Sequence, residues 1–372
     1  MLKIGIFGGS FNPVHTEHVK IALGAINELN LDKLLVLPTY VSPHKLKASI
    51  ESGEDRLNML KIAFKDYLKV EVSDFEVKSE GISYTYLTLL HFKNLYKDAT
   101  FYLIMGSDML ENFPTWKNPD IIANNAELVL LNRQGDSDLN ANAIKVIKKL
   151  YDKDVIFLKT EGVNRSSTEI RYRIKLDLSL DGLLPDGVEE YIKLNNLYKK
   201  DKYYSYVVSV LPEKRRMHVL GVILTAKKFA KLLGESVEKA EMASLLHDIA
   251  KYEDITKYED VLPPNCTKDV AHQFIGEHIA KTVLGVTDCD ILNAIKYHTT
   301  GRANMSTLEK IVYIADLIEP SRKYQMVTYL REVIEKDFEN GFKISVKEVL
   351  DFLKQGGNEI YYLTEECYNY YK

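Results

Sequence analysis

Five of the nine histidines lie in the second half of the chain, at 218, 247, 272, 278 and 298. Two aspartates accompany them: Asp248 directly follows His247, and Asp316 lies on a later helical pattern. Imidazoles and carboxylates carried by several helices can converge in a bundle core and hold metal ions. Four imidazoles with two carboxylates suit iron, manganese or zinc better than calcium or magnesium. The expected ligand set is therefore His218, His247, Asp248, His272, His298 and Asp316. His247 and Asp248 end an apolar run, Met242-Ala243-Ser244-Leu245-Leu246, where a carboxylate is costly to bury unless a cation meets it. His278, six residues after His272, is assigned to packing.

The first half offers a different chemistry. An apolar run ends at Phe7 and enters Gly8-Gly9-Ser10-Phe11-Asn12-Pro13-Val14-His15-Thr16-Glu17-His18 ahead of a helical pattern. The two glycines let the backbone approach a ligand closely. A following helix presents unpaired N–H groups and the positive end of its dipole to an anion. His15 and His18 are spaced to share a face of its first turn, so both can donate to phosphate oxygens. The segment is neither a Walker A loop nor a Gly-x-Gly-x-x-Gly fingerprint. Ser166-Ser167-Thr168-Glu169-Ile170-Arg171 has capping-box spacing between Ser166 and Glu169. The hydroxyls there, the free amides and Arg171 make a second anion site. Ser42-Pro43-His44-Lys45 adds cationic donors.

The elements that must position these residues differ between the halves. Short apolar runs at 2–7, 33–37, 100–105, 127–131 and 154–158 alternate with helical spacing at 19–29, 55–67 and 84–95. Such alternation predicts a parallel sheet covered by helices, which binds ligands beyond the carboxyl ends of its strands. From about residue 205 only helical patterns follow, at 213–233, 237–251, 269–284, 288–298, 307–318 and 324–337. The expected division is 1–198, a polar linker at 199–204, and 205–372. Lys+Arg 49 against Asp+Glu 53 leaves a net charge of −4 with no long basic run, which gives no footprint for sequence-independent nucleic-acid binding. No apolar run nears the roughly 20 residues that span a bilayer. Three cysteines without Cys-x-x-Cys spacing fit a reducing compartment. A cytoplasmic protein with no membrane or nucleic-acid partner is expected; a homo-oligomer is left open.

Residues 1–198 resemble the nicotinate-mononucleotide adenylyltransferases, within the His-x-Gly-His nucleotidyltransferases. The likeness runs through residues 8–18, Ser42 to Lys45, Ser83-Tyr84-Thr85, Met105-Gly106-Ser107-Asp108-Met109, Trp116, Ser166 to Arg171, Leu184-Pro185-Asp186 and Asn196-Leu197-Tyr198. It implies a Rossmann-like α/β domain that transfers AMP from ATP to nicotinate mononucleotide, giving deamido-NAD and pyrophosphate, with Mg²⁺. By that resemblance His15, His18, Lys45 and Arg171 are catalytic. Gly8, Gly9, Ser10, Phe11, Gly106, Asp108, Ser167 and Thr168 would hold ATP, and Thr85 and Trp116 the nicotinate moiety. Two positions depart from the pattern: Glu17 stands where the family has glycine, and Arg165 replaces an apolar residue.

Residues 205–372 resemble the HD-domain phosphohydrolases, and more narrowly the symmetrical diadenosine tetraphosphate hydrolases. The residues concerned are Met217-His218-Val219, the segment from Leu246-His247-Asp248 to Lys251, that from Tyr297-His298-Thr299 to Arg302, and that from Ala315-Asp316 to Arg322. The resemblance implies an all-α bundle with two iron ions, or manganese or zinc, that cuts diadenosine tetraphosphate into two ADP. Lys251, Thr299 and Arg322 would contact phosphates. The chain thus reads as one bifunctional enzyme. Two alternatives stand beside it. One is another phosphate acceptor in the first half, against which Trp116 and Ser83 to Thr85 argue. The other is a helical half that senses nucleotides, or hydrolyses a different one.

Overall fold

The computed structural model describes residues 1–41, 50–79, 81–133, 137–162, 165–357 and 359–372; the side chains of 108, 132, 133, 137–140, 161 and 162 lie outside that description. Two compact units emerge: Met1–Arg171 with Ser179–Tyr198, and Tyr172–Leu178 with Lys199–Lys372.

In the first unit six strands among the described residues form one parallel sheet: Lys3–Gly9 (β1), Lys33–Pro38 (β2), Val70–Val72 (β3), Thr100–Met105 (β4), Glu127–Arg133 (β5) and Val155–Gly162 (β6). Their order is β3-β2-β1-β4-β5-β6, the doubly wound order whose switch point lies between β1 and β4 and marks where ligands bind. Ile4, Ile6, Leu35, Leu37, Leu103, Met105, Leu128 and Leu130 build the core on one face. Leu34, Val36, Ile104 and Val129 are buried as well. Burial on both faces is why the strands read as unbroken apolar runs rather than as alternation. Strand β3, three residues long with an exposed Glu71 at its centre, lacks such a run and falls outside the expected set.

Among the described residues nine helices accompany the strands: Thr16–Glu28 (α1), Gly53–Phe64 (α2), Phe75–Lys78 (α3), Thr85–Leu95 (α4), Ser107–Asn112 (α5), Pro119–Asn125 (α6), Ser137–Tyr151 (α7), Ser167–Lys175 (α8) and Val188–Leu194 (α9). Helix α1 lies tight on β6. A Cβ at Gly24 would sit 2.1 Å from Thr160 Oγ1, and Glu28 accepts the backbone N–H groups of Lys159 and Thr160 at 2.6 and 2.8 Å. This contact fixes where the amino end of α1 points.

The second unit holds Lys202–Val210 (α10), Glu213–Leu233 (α11), Val237–Leu246 (α12), Lys268–Thr282 (α13), Cys289–Lys296 (α14), Thr307–Ile318 (α15), Val327–Lys336 (α16), Phe338–Gln355 (α17) and Tyr362–Tyr371 (α18). Helices α10, α17 and α18 add to the expected set. The stretch 199–204, expected as a linker, carries Asp201, which accepts from the N–H groups of Tyr203 and Tyr204 and so starts α10. Residues Tyr172, Leu176 and Leu178 belong to this unit's core. Tyr172 and Tyr204 both donate to the Glu241 carboxylate, at 2.5 and 2.9 Å. Among the described residues no helix is long and apolar enough to cross a membrane.

Arg56, on α2, is 1% exposed and has no carboxylate partner among the described residues. Its guanidinium donates to the carbonyls of Ser10 (2.9 Å), Thr39 (2.6 Å), Tyr40 (3.3 Å) and Glu51 (3.0 Å). One cation thus joins the loops that leave β1 and β2. Removing it strands buried carbonyls, each costing about 1–3 kcal/mol. Arg56→Met is expected to lower the stability of this unit by about 3 kcal/mol or more. The readout is a urea titration followed through the fluorescence of Trp116, the chain's one tryptophan. An unchanged midpoint would show that those carbonyls find water instead.

Candidate active sites

At the carboxyl end of β1 the chain turns through Gly8 to His15 into α1. Among the described residues a Cβ at Gly8 would meet nothing within 4 Å beyond its chain neighbours, so this glycine leaves space where the strand ends. Phe11 adopts φ 45° and sets its ring edge-on to His18, with 4.9 Å between centroids. His15 caps α1 and is buried. The His15 N–H donates to His18 Nδ1 at 3.2 Å, and the two imidazoles stack with centroids 3.6 Å apart. Since His18 accepts at Nδ1, its neutral ring carries the proton on Nε2, a donor for an oxygen ligand.

Helix α8, far along the chain, is tied to this loop. Arg171 donates to the Asn12 carbonyl at 2.6 Å and to Thr168 Oγ1 at 3.1 Å. Ser167 Oγ donates to the Pro13 carbonyl at 2.9 Å. Ser166 caps α8, accepting the Glu169 N–H at 3.1 Å, as the capping spacing predicts. The buried Tyr198 closes the unit, donating to Asn12 Oδ1 at 2.9 Å while its N–H meets Glu51 at 2.8 Å. The structure therefore assembles Phe11, His15, His18, Ser167, Thr168 and Arg171 around one loop. Asn12 and Tyr198, which carry that junction, were not among the expected site residues.

The other expected residues sit as follows. Gly106 caps α5 just beyond β4, with Asp108 in the first turn. Thr85 opens α4. Trp116 is half-buried and packs on Phe113, with centroids 5.4 Å apart. Lys45 and the side chain of Asp108 lie outside the described residues.

In the helical unit the six expected ligands converge. Three overlapping groups, His218–His247–Asp248, His247–His298–Asp316 and Asp248–His272–His298, each keep their ligand atoms within 4.8 Å of one another. His218 comes from α11, His272 from α13 and Asp316 from α15. His247 and Asp248 stand just past the end of α12, and His298 just past α14. The last turn of a helix leaves carbonyls without an intrahelical partner. Two imidazoles use them: His247 Nδ1 meets the Ser244 carbonyl at 2.6 Å and His298 Nδ1 that of Ile295 at 2.8 Å. Both rings are thereby turned with Nε2 inward.

Asp248 divides its carboxylate. Oδ2 lies 3.4 Å from His247 Nε2 and 3.7 Å from His218 Nε2, whereas Oδ1 lies 3.5 Å from His272 Nε2 and 3.7 Å from His298 Nε2. Asp316 Oδ1 faces His218 Nε2 at 3.1 Å. Imidazole nitrogens otherwise confront each other at 3.3 Å (His218 and His247) and 3.2 Å (His272 and His298). Burial alone would raise the carboxyl of Asp248, but His247 and His298 hold it well below the ordinary range. Burial pushes His272 down to about 3, helped by His298 and Lys251, and lowers His247. At His218 burial is outweighed by the hydrogen bonds to Asp316 and Glu319, which raise it. An ionised Asp248 beside neutral His247 and His272 is the protonation state that metal ligands need. The donor set fits a divalent transition metal.

Of the three residues expected on phosphates, two border the His272 and His298 side. Lys251 Nζ is 3.2 Å from His272 Nε2, and Thr299 Oγ1 lies 3.1 and 3.0 Å from the two imidazoles. Arg322 donates to Asp316, to Oδ1 at 2.5 Å and to the carbonyl at 2.9 Å. His278 packs on Tyr258, outside the ligand groups. Two further residues enter here: Arg215, donating to Asp248 Oδ2 at 2.9 Å, and Glu319, 3.0 Å from His218 Nδ1. Each lies three residues from a ligand on the same chain, Arg215 from His218 and Glu319 from Asp316, the spacing that shares a helix face.

A cytidylyltransferase-like family model matches residues 6–173, and an HD domain model matches residues 215–321. A probable nicotinate-nucleotide adenylyltransferase of Clostridium tetani is 40% identical over 200 residues, 54% of this chain and 100% of that protein. The chain belongs to the nicotinate-nucleotide adenylyltransferase family. Its Clostridium acetobutylicum relative of the same description is 37% identical over 199 residues, 53% of this chain and 100% of that protein. A crystal structure described as a predicted HD superfamily hydrolase involved in NAD metabolism, also from Clostridium acetobutylicum, is 38% identical. It covers 46% of this chain and 95% of that one, with a TM-score of 0.42. An adenylyltransferase half is thus fused to an HD domain.

The adenylyltransferase half explains part of its own departures. Glu17 is buried, in the first turn of α1, where a carboxylate is favoured by the positive end of the helix dipole. Arg165 donates to the Gly182 carbonyl at 2.8 Å, beside the Thr16 hydroxyl that meets the same atom at 3.1 Å. Glu17→Gly, which restores the family residue, is expected to preserve or raise the rate of adenylyl transfer measured with saturating ATP. A tenfold loss, about 1.4 kcal/mol of barrier, would make Glu17 part of the site.

Proposed function

We propose that this chain is a bifunctional nucleotide enzyme. Residues 1–198 transfer the adenylyl group of ATP to nicotinate mononucleotide, and residues 205–372 hydrolyse diadenosine tetraphosphate at its centre with a pair of metal ions. The observation that supports the first activity is the joining of His15, His18 and Arg171 around the Asn12 loop at the end of β1, together with the relationship over that half.

In the first reaction a phosphate oxygen of the mononucleotide attacks the α-phosphorus of ATP. A new anhydride bond forms, the bond to the β-phosphate bridge breaks, and pyrophosphate leaves. No covalent nucleophile is needed; catalysis is positioning and stabilisation of developing negative charge. The His18 Nε2–H and His15 serve the reacting phosphate, with the amino end of α1 behind them. Arg171, with Ser167 and Thr168, holds the triphosphate tail, Lys45 assists, and Gly8, Gly9, Ser10 and Phe11 leave room for it. Gly106 and Asp108 hold the adenosine end, and Thr85 and Trp116 the pyridine ring. Mg²⁺, bound with ATP, would neutralise charge on the leaving pyrophosphate.

The second activity rests on Asp248, whose two oxygens face different pairs of imidazoles. With His218, His247, His272, His298 and Asp316 it would hold a pair of metal ions, which we assign as iron, with manganese or zinc as the alternatives that the donors accept. When bound, such a pair would supply an activated water and neutralise charge on the leaving phosphate. Around it, Lys251 and Thr299 orient the phosphates on the His272 side. Arg215 and Arg322 hold the Asp248 and Asp316 carboxylates and add positive charge at the site. Water oxygen joins one of the two central phosphorus atoms, the bridge between them opens, and two ADP leave.

The deciding experiment assays both reactions on the full chain after metal analysis. Arg171→Ala is expected to lower adenylyl transfer by about 10²-fold or more, the scale for one transition-state donor, and to leave hydrolysis intact. Asp248→Asn is expected to abolish metal retention and hydrolysis while adenylyl transfer persists. Metal-replete protein that binds diadenosine tetraphosphate without turning it over would replace the hydrolase with a sensor. A marked preference for another phosphate acceptor would replace the first activity.

A further inference from the structure

Glu319 has no part in the reactions above, yet it is 1% exposed and stands beside a metal ligand. It sits just beyond α15, three residues after Asp316. Its carboxylate collects donors. Oε1 meets His218 Nδ1 at 3.0 Å and the Ser321 hydroxyl, and Oε2 accepts the Ser321 N–H at 2.7 Å. Arg331 clamps the same turn, donating to the carbonyls of Ile318 (2.8 Å), Glu319 (2.7 Å) and Arg322 (3.1 Å). Room for the carboxylate comes from Gly221 on α11. A Cβ there would lie 2.4 Å from Glu319 Oε2, so even alanine would push the carboxylate away.

The contrast with the neighbouring imidazoles carries the argument. His247 and His298 spend their Nδ1–H on neutral backbone carbonyls. His218 alone among these three spends it on a buried carboxylate. A carboxylate opposite Nδ1 fixes the tautomer that leaves Nε2 as the ligand atom and makes that nitrogen a stronger base. We propose that Glu319 is the positioning residue that makes the His218, His247, Asp248 and Asp316 side of the centre its tighter ion site, the ion on the His272 and His298 side being held more weakly. This rests on the two-ion reading above and specifies an order of filling within it.

The test is calorimetric titration of the metal-stripped full chain with Mn²⁺ alone, with the metal content of dialysed protein as the second readout. The native chain should take up two ions in separable steps. Glu319→Gln keeps the shape and removes the charge; it should weaken the tighter step by about 10- to 100-fold and leave the weaker step unchanged. Gly221→Ala keeps every ligand and Glu319 itself, and should shift the same step in the same direction. Helical content and melting of each metal-free variant, compared with the native chain, separate a changed site from a chain that fails to fold. Two native steps with neither variant altering the tighter one would overturn the role of Glu319 and leave the two-ion reading standing. Equal weakening of both steps would overturn it too, showing Glu319 to be a general prop of the bundle. A native chain that takes up no Mn²⁺ would remove the two-ion reading and this inference together.

Discussion

A carboxylate sealed away from water must find a cation or polar partners, and in this protein Asp248 has partners on both sides. One oxygen faces His218 and His247, the other His272 and His298. These five residues come from four separate places in the bundle, so the helices around them have to be placed to within ångströms of each other. Much of the unit can be understood as scaffolding for that placement. Arg331 fixes the turn after Asp316, and Gln273, fully buried, accepts the N–H groups of Thr299 and Thr300 to hold the turn after His298. Leaving a buried charge unpaired costs several kcal/mol, more than any one of these hydrogen bonds contributes.

The adenylyltransferase half solves a different problem with backbone rather than with ionisable ligands. Its ligand is itself an anion, so the protein must offer donors that are already oriented. The Asn12 segment is where they are organised. Arg171 and Ser167 meet its carbonyls from α8, Tyr198 meets its side chain from the end of the unit, and Arg56 holds Ser10 from below. Three distant stretches of sequence thus converge on a loop of a few residues. The sheet supplies the foundation, because the switch between β1 and β4 leaves a crevice at the carboxyl ends where no crossover passes.

Most of the architecture could be read before the coordinates, for a physical reason that particular elements illustrate. Strand β4 and helices α11 and α15 have the residues the apolar patterns assign them, since their periodicity is set by burial along their whole length. Strand β3 escaped because an edge strand of three residues with a charge at its centre leaves too short a pattern. The helical patterns at 237–251 and 288–298 ran past the true ends at Leu246 and Lys296, because apolar periodicity does not register where hydrogen bonding stops. That shortening has a consequence for the site: it is in those terminal turns that His247, Asp248 and His298 swing toward each other.

What the sequence by itself determined is the chemistry on offer: which side chains can ligate a metal, which loop can receive a phosphate, and which segments are helix or strand. Residue type and local spacing suffice for these, because they depend on neighbours along the chain. Tertiary structure alone decided which groups share a partner. It set the two oxygens of Asp248 against different imidazoles, turned Arg322 onto Asp316, gave residues 172–178 to the helical unit, and placed Glu319 behind His218 in space left by Gly221. Those choices are made between residues up to about a hundred positions apart, where only packing and the cost of an unsatisfied buried charge can select the pairing.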